Sequence, residues 1–110
     1  DALPILEEEP PRLLPDAKTI LYRVFQEVVN NALKHARADT IEVALLRSDP
    51  FRLSIADNGK GFDPATTKAG SGLVNIRRRC ELIGFDAELA SVTGEGTRWL
   101  FTQRPDPHAA

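Results

Sequence analysis

The chain has 110 residues, 42% of them hydrophobic and 27% charged, which describes one ordinary globular domain long enough to bury a core. A net charge of −2 leaves no excess of Lys and Arg for a nucleic acid, and a single cysteine, Cys80, excludes an internal disulfide and fits a reducing compartment. No signal peptide and no apolar run of about eighteen residues is present, so no membrane contact is expected of this domain. Because the sequence opens at Asp1 and reads from the start as mid-protein sequence, we expect a single cytoplasmic domain, 1–110, excised from a longer protein with room for membrane segments elsewhere.

Prolines at 4, 10, 11 and 15 exclude a helix from the opening stretch, leaving a short edge strand around 3–7 as its one regular element. Asp16, after Pro15, is placed to cap a long helix over 17–36. In that helix Leu21, Val24, Phe25, Val28, Val29, Ala32, Leu33 and Ala36 share one arc, which is expected to be buried. Glu27, Asn31 and His35, four apart, stack as a polar ridge along its edge.

Residues 40–46 alternate, with Ile41, Val43 and Leu45 on one face. After a turn at 47–50, Phe51, Leu53 and Ile55 alternate in the same way, which predicts an antiparallel hairpin with one apolar face. Asp57 continues the inward parity, so a carboxylate ends the buried row. The glycine-rich stretch 58–72 reads as a loop. Leu73, Ile76, Cys80 and Ile83 form the stripe of a second helix that Gly84 stops, with Arg77, Arg78 and Arg79 on its wet face. A second strand pair follows over 86–92 and 97–103, with Trp99 and Phe101 inward and the tail from 104 frayed.

Four short patterns carry chemistry. Asp57, Gly59 and Gly61 make a DxGxG; an inward carboxylate needs a donor, which a purine's exocyclic amine would supply, and the glycines would let backbone approach a flat ring. Gly70, Ser71, Gly72 and Leu73 precede a helix, where free amides and the dipole suit phosphate, although glycine there is also plain punctuation. Neither a Walker loop nor a dinucleotide fingerprint is present. The GEGT of residues 94–97 is a turn by itself. On the ridge, Asn31 and Glu27 offer hard oxygens suited to Mg²⁺, and Glu27 could instead take a proton or simply pair with Arg23 or Lys34. His35 alone reads as a structural histidine, and the shortage of Cys and His argues against zinc.

Together and in this order, QEVVNNALKHA, DNGKGF, GSGL and GEGT resemble the N box and three glycine boxes of the GHKL superfamily of ATP-binding domains. Within it the chain is most similar to the catalytic domain of sensor histidine kinases of the nitrate-sensor and membrane-fluidity-sensor branch, over about 13–102. The resemblance implies an α/β two-layer sandwich of Bergerat type, with a mixed, mostly antiparallel sheet and helices on one face. It implies ATP and Mg²⁺, with Asn31 as metal ligand and Glu27 as the acidic residue assisting the reacting centre. Lys34 would make a basic contact to phosphate and the His35 ring would border the nucleotide, Asp57 would read adenine beside Gly59 and Gly61, and Thr97 would support that contact. Residues 62–70 would form a short lid over the triphosphate, with Gly70, Gly72 and Leu73 at its end.

The implied reaction is transfer of the γ-phosphoryl group to a histidine on an upstream dimerisation domain, for relay to a response regulator, in a homodimeric protein. Since neither His35 nor His108 is a suitable acceptor, the fragment alone would turn ATP over poorly. An anti-sigma-factor type of serine kinase shares the boxes, and a non-catalytic nucleotide-binding module is a third reading. The GLVNIRRR helix favours the histidine kinase, and the retained Glu27, Asn31 and Asp57 speak against a degenerate module. Two positions depart from the branch's pattern: Arg78 stands where Glu is frequent, and Phe85 where a second Gly commonly follows Gly84.

Overall fold

A computed structural model describes residues 16–46, 50–64 and 72–105. Two helices, α1 (Ala17–Lys34) and α2 (Gly72–Leu82), pack on one face of four strands, β1 (Ile41–Leu46), β2 (Arg52–Asp57), β3 (Phe85–Val92) and β4 (Gly96–Gln103). The strand order is β1-β2-β4-β3, and each described pairing is antiparallel. The fold is thus the expected α/β two-layer sandwich, but its described sheet is antiparallel and not mixed.

The helix side of the sheet is built by strand parity. Leu53 lies opposite Phe101 and Ile55 opposite Trp99, while Ala87 and Leu89 continue the same two rows onto β3. Val24 and Val28 of α1 and Ile76 and Cys80 of α2 close over these side chains. Two aromatic contacts order the core: Trp99 stacks on Phe101 with centroids 5.5 Å apart, and Phe85 meets Phe51 edge-on at 6.0 Å. Phe85, which the family pattern would make a glycine, is therefore a fully buried core residue.

Several expectations shift in detail. The helix ends at Lys34, two residues early, and Asp16 occupies the N-cap position without a side-chain cap bond. His35 and Ala36 both donate their amides to the Asn31 carbonyl, and Arg37 takes a positive φ of 52° as the chain leaves the helix. Leu33 is 55% exposed, because it stands about 100° beyond Ala32 and off the core side. Val43 and Leu45 face the helix side yet remain 47% and 45% exposed, on an outer strand of the described sheet. The expected fraying does not begin at Arg104, which donates its amide to Gly84 and its Nε to Asp86 at 2.8 Å. The expected strand at 3–7, residues 47–49 of the turn at 47–50, lid residues 65–70 with Gly70, and Ser71 lie outside the described residues.

Candidate functional site

The last row of the sheet on the helix side carries polar groups where the preceding rows carry core. Asp57 on β2 pairs with Thr97 on β4, which pairs with Ser91 on β3. Of the apolar row beneath them, Ile55, Trp99 and Leu89, the Trp99 ring lines a cleft of about 510 Å³ whose other wall is the ridge of α1. That volume lies within the range of small-molecule and cofactor sites, about 300–1,000 Å³. Glu27, Asn31 and His35 line it from α1, Asp57, Lys60, Gly61 and Phe62 from the β2 loop, Gly72 and Leu73 from α2, and Thr97 and Trp99 from β4.

Each contributor is held in place by a contact that its sequence explains. Asp57 Oδ1 accepts the Gly59 amide at 2.8 Å, a local turn that keeps one carboxylate oxygen occupied. Asn58 points away and accepts the amides of Asp39 and Thr40, both at 2.9 Å, so that it ties the loop to the exit of α1. The Lys60 amide donates to the Ala36 carbonyl, and Gly59 is buried against Ala36. On its other side the loop is anchored to the β3–β4 hairpin: Phe62 donates its amide to Ser91 Oγ at 2.9 Å, and Gly94 donates to Lys60.

The start of α2 meets the ridge directly. A Cβ added to Gly72 would lie 2.5 Å from Glu27 Oε1 and 3.7 Å from Asn31 Nδ2, so a larger residue there would make the carboxylate shift. Glu27 is half-buried and pairs with neither Arg23 nor Lys34. Its carboxylate and the Asn31 amide therefore line the cleft without being used up by described neighbours. Among the described residues no group of three or more His, Cys, Asp or Glu could hold a metal ion. One carboxylate and one amide are what a Mg²⁺ ion needs when water and phosphate oxygens supply the rest of its shell. Burial pushes the Cys80 thiol up to about 11, but it sits in the core away from the cleft.

The structure gathers Glu27, Asn31, His35, Asp57, Gly61, Gly72, Leu73 and Thr97 around one cleft and sets Gly59 behind it. Lys34 is exposed and does not line it, while Lys60 does. Lys34 stands about 60° round the helix from Asn31, on the side away from Val28 and Ala32, so its place outside follows from helix geometry. Lys60, Phe62 and Trp99 were not singled out as site residues. For Trp99 the signal existed, because it follows Thr97 by one strand repeat on the same inward face.

The family described as histidine kinase-, DNA gyrase B- and HSP90-like ATPase matches residues 16–108. The chain belongs to this family. This ATPase domain is 40% identical over 80 residues to the sensor histidine kinase LiaS of Bacillus subtilis (strain 168), covering 71% of this chain and 22% of that kinase. It spans about a fifth of that relative's length. The crystal structure of the ATP binding domain of PrrB from Mycobacterium tuberculosis superposes with a TM-score of 0.65, covering 81% of this chain and 68% of that one. At 24% identity that likeness speaks for the fold. The chain is a histidine kinase-type ATPase domain, and none of its described helices is long and apolar enough to cross a membrane.

Proposed function

We propose that this domain binds Mg²⁺-ATP in the cleft and serves as the catalytic part of a two-component sensor histidine kinase. The observation that carries the reading is the cleft itself, which sets the Asp57 and Thr97 row opposite the Glu27 and Asn31 ridge. Asp57 keeps one carboxylate oxygen for the adenine amine, over a floor made by Trp99. Gly61 and Phe62 border the base and Leu73 the sugar, while Gly72 at the start of α2 offers its amide to phosphate.

Asn31 would hold the metal, which when bound would neutralise charge on the phosphates. Lys60 brings a cation to the cleft from the loop. In the transfer, the bond between the γ-phosphorus and its bridging oxygen breaks, ADP leaves, and a nitrogen–phosphorus bond forms on a histidine of an upstream domain. Glu27 assists by taking the imidazole proton, and the domain contributes chiefly positioning. A response regulator then receives the phosphoryl group. The 40% identity to a sensor histidine kinase supports this acceptor over a protein serine.

Calorimetric titration with ATP, with and without Mg²⁺, tests the reading. Binding that strengthens with Mg²⁺ and is weakened at least tenfold by Asp57→Asn is expected. A parent domain that takes up no nucleotide would overturn it. In the full-length protein, acid-labile phosphate lost on replacing the acceptor histidine identifies the transfer; acid-stable phosphoserine would refute it.

A further inference from the structure

Ser91 takes no part in lining the cleft, yet it is bonded to two elements that do. Its Oγ accepts the Phe62 amide at 2.9 Å, lies 2.8 Å from Thr97 Oγ1, and reaches the Gly96 carbonyl at 3.2 Å. A serine hydroxyl has one proton and two lone pairs. The Phe62 amide occupies one lone pair, and the Gly96 carbonyl can only accept, so it requires the Ser91 proton. All three bonds form together only when Thr97 donates its own proton to the remaining lone pair of Ser91. Sending the Ser91 proton to Thr97 instead would forfeit the Gly96 bond.

We propose that Ser91 is a specificity-determining positioning residue that fixes the polarity of Thr97, an inference resting on the nucleotide reading given above. With its proton directed backwards, Thr97 shows the cleft lone pairs alone. Its cross-strand neighbour Asp57 likewise presents carboxylate oxygen. The end of the cleft is therefore an acceptor-only pair, and it suits a ligand edge that donates. A 6-aminopurine offers two N–H groups there. A 6-oxopurine sets a carbonyl oxygen in place of that amine, against acceptors on both sides, and its one donor on this edge, N1–H, stands an atom away. Ser91 thus carries discrimination between ATP and the 6-oxo nucleotides without touching either.

Replacing Ser91 by alanine removes the acceptor for Thr97 and frees its proton to turn into the cleft, where it can meet a 6-oxo group. It also leaves the Phe62 amide without its partner, a loss common to all nucleotides. The measurement is the ratio of dissociation constants for inosine triphosphate and ATP, in the parent, Ser91→Ala, Ser91→Thr and Thr97→Val proteins. In Ser91→Ala the ratio is expected to fall about tenfold. Ser91→Thr, which keeps the hydroxyl, restores it. In a Thr97→Val background Ser91→Ala leaves the ratio unchanged, since no hydroxyl remains to be turned.

A Ser91→Ala protein that weakens both nucleotides by the same factor assigns Ser91 a structural role alone and overturns the proposal. Failure of the parent to bind either nucleotide overturns the nucleotide reading instead. Should Ser91→Ala fail to fold, Ser91→Thr and Thr97→Val still decide. The hydroxyl-retaining variant must keep the parental ratio and the hydroxyl-free one must lower it, and any other pattern refutes the polarity argument.

Discussion

Alanine at Gly94 and alanine at Gly96 separate a dihedral cost from a collision. The two glycines stand two apart in the β3–β4 turn, with φ of 86° and 91°. Either substitution forces an L side chain into nearly the same left-handed backbone, which costs about 1–2 kcal/mol. A Cβ at Gly94 meets nothing within 4 Å, whereas one at Gly96 lies 2.2 Å from the Asp57 carbonyl oxygen and 3.3 Å from Asn58 Cα. The obstacle is backbone and cannot swing aside. Carbon and carbonyl oxygen normally approach to about 3.3 Å, so β2 and β4 must part by roughly 1 Å at the row holding Asp57 and Thr97. Losing one or two ladder bonds there adds about 1 kcal/mol each to residual strain. We therefore expect Gly94→Ala to cost about 1–2 kcal/mol and Gly96→Ala about 3–5 kcal/mol. With a urea slope of about 1.5 kcal/mol per M, the midpoints should fall by about 1 M and by about 2–3 M, with the slope unchanged. ATP titration of the folded fraction should find affinity kept in Gly94→Ala and lost in Gly96→Ala. Equal midpoints for the two variants would show that the dihedral alone sets the cost, and would refute the argument from the Asp57 contact.

Three other outcomes follow from single features. Phe85→Gly, which restores the commoner family residue, should cost about 4–5 kcal/mol, because it empties a fully buried site packed edge-on to Phe51. A urea midpoint within 0.5 M of the parent, about 1 kcal/mol, would contradict this. Arg37→Gly should stabilise by about 1 kcal/mol and raise Tm by about 4 °C, since Arg37 occupies a left-handed conformation at φ 52°; an unchanged or lower Tm counts against that strain. Cys80 holds its proton in the folded state to about 11, while the unfolded thiol titrates near 9.0. Between these values the unfolded chain binds fewer protons, so stability falls as pH rises through this window, by about 2–3 kcal/mol at most, and no contribution exists below it. The difference in stability between parent and Cys80→Ala should shrink from pH 8 to pH 11. A constant difference would exclude the linkage.

What could be read from the sequence is what periodicity reports. Val24, Val28, Ile76 and Cys80 recur at helical spacing, and Leu53, Ile55, Trp99 and Phe101 at strand spacing; all eight are core. Periodicity names a face but not how far the opposing layer extends. Val43 and Leu45 follow the same alternation as Leu53 and Ile55, yet stand on an outer strand of the described sheet and stay half-exposed. Lys34 and Lys60 make a related point. Both sit beside a motif, and only the direction in which α1 faces the loop decides which enters the cleft. Ser91 gave no signal, because its role is set by three partners, Phe62, Gly96 and Thr97, that the fold brings to one hydroxyl.

The motifs are recognisable together because each is shaped by another. Gly72 leaves room for Glu27, 45 positions earlier, whose carboxylate projects into the space a Cβ would take. Gly96 has to be small because the Asp57 carbonyl lies against it, and that same contact sets the height of Thr97 beside the Asp57 side chain. A larger residue in a glycine box therefore acts at a distance in sequence and at no distance in space. Gly72→Ala must displace a metal-side carboxylate, whereas Gly96→Ala must displace the base-side strand. The first should weaken the Mg²⁺ dependence of nucleotide binding while leaving base discrimination in place. The second should remove both, because it opens the row from which base and hydroxyl contacts are made.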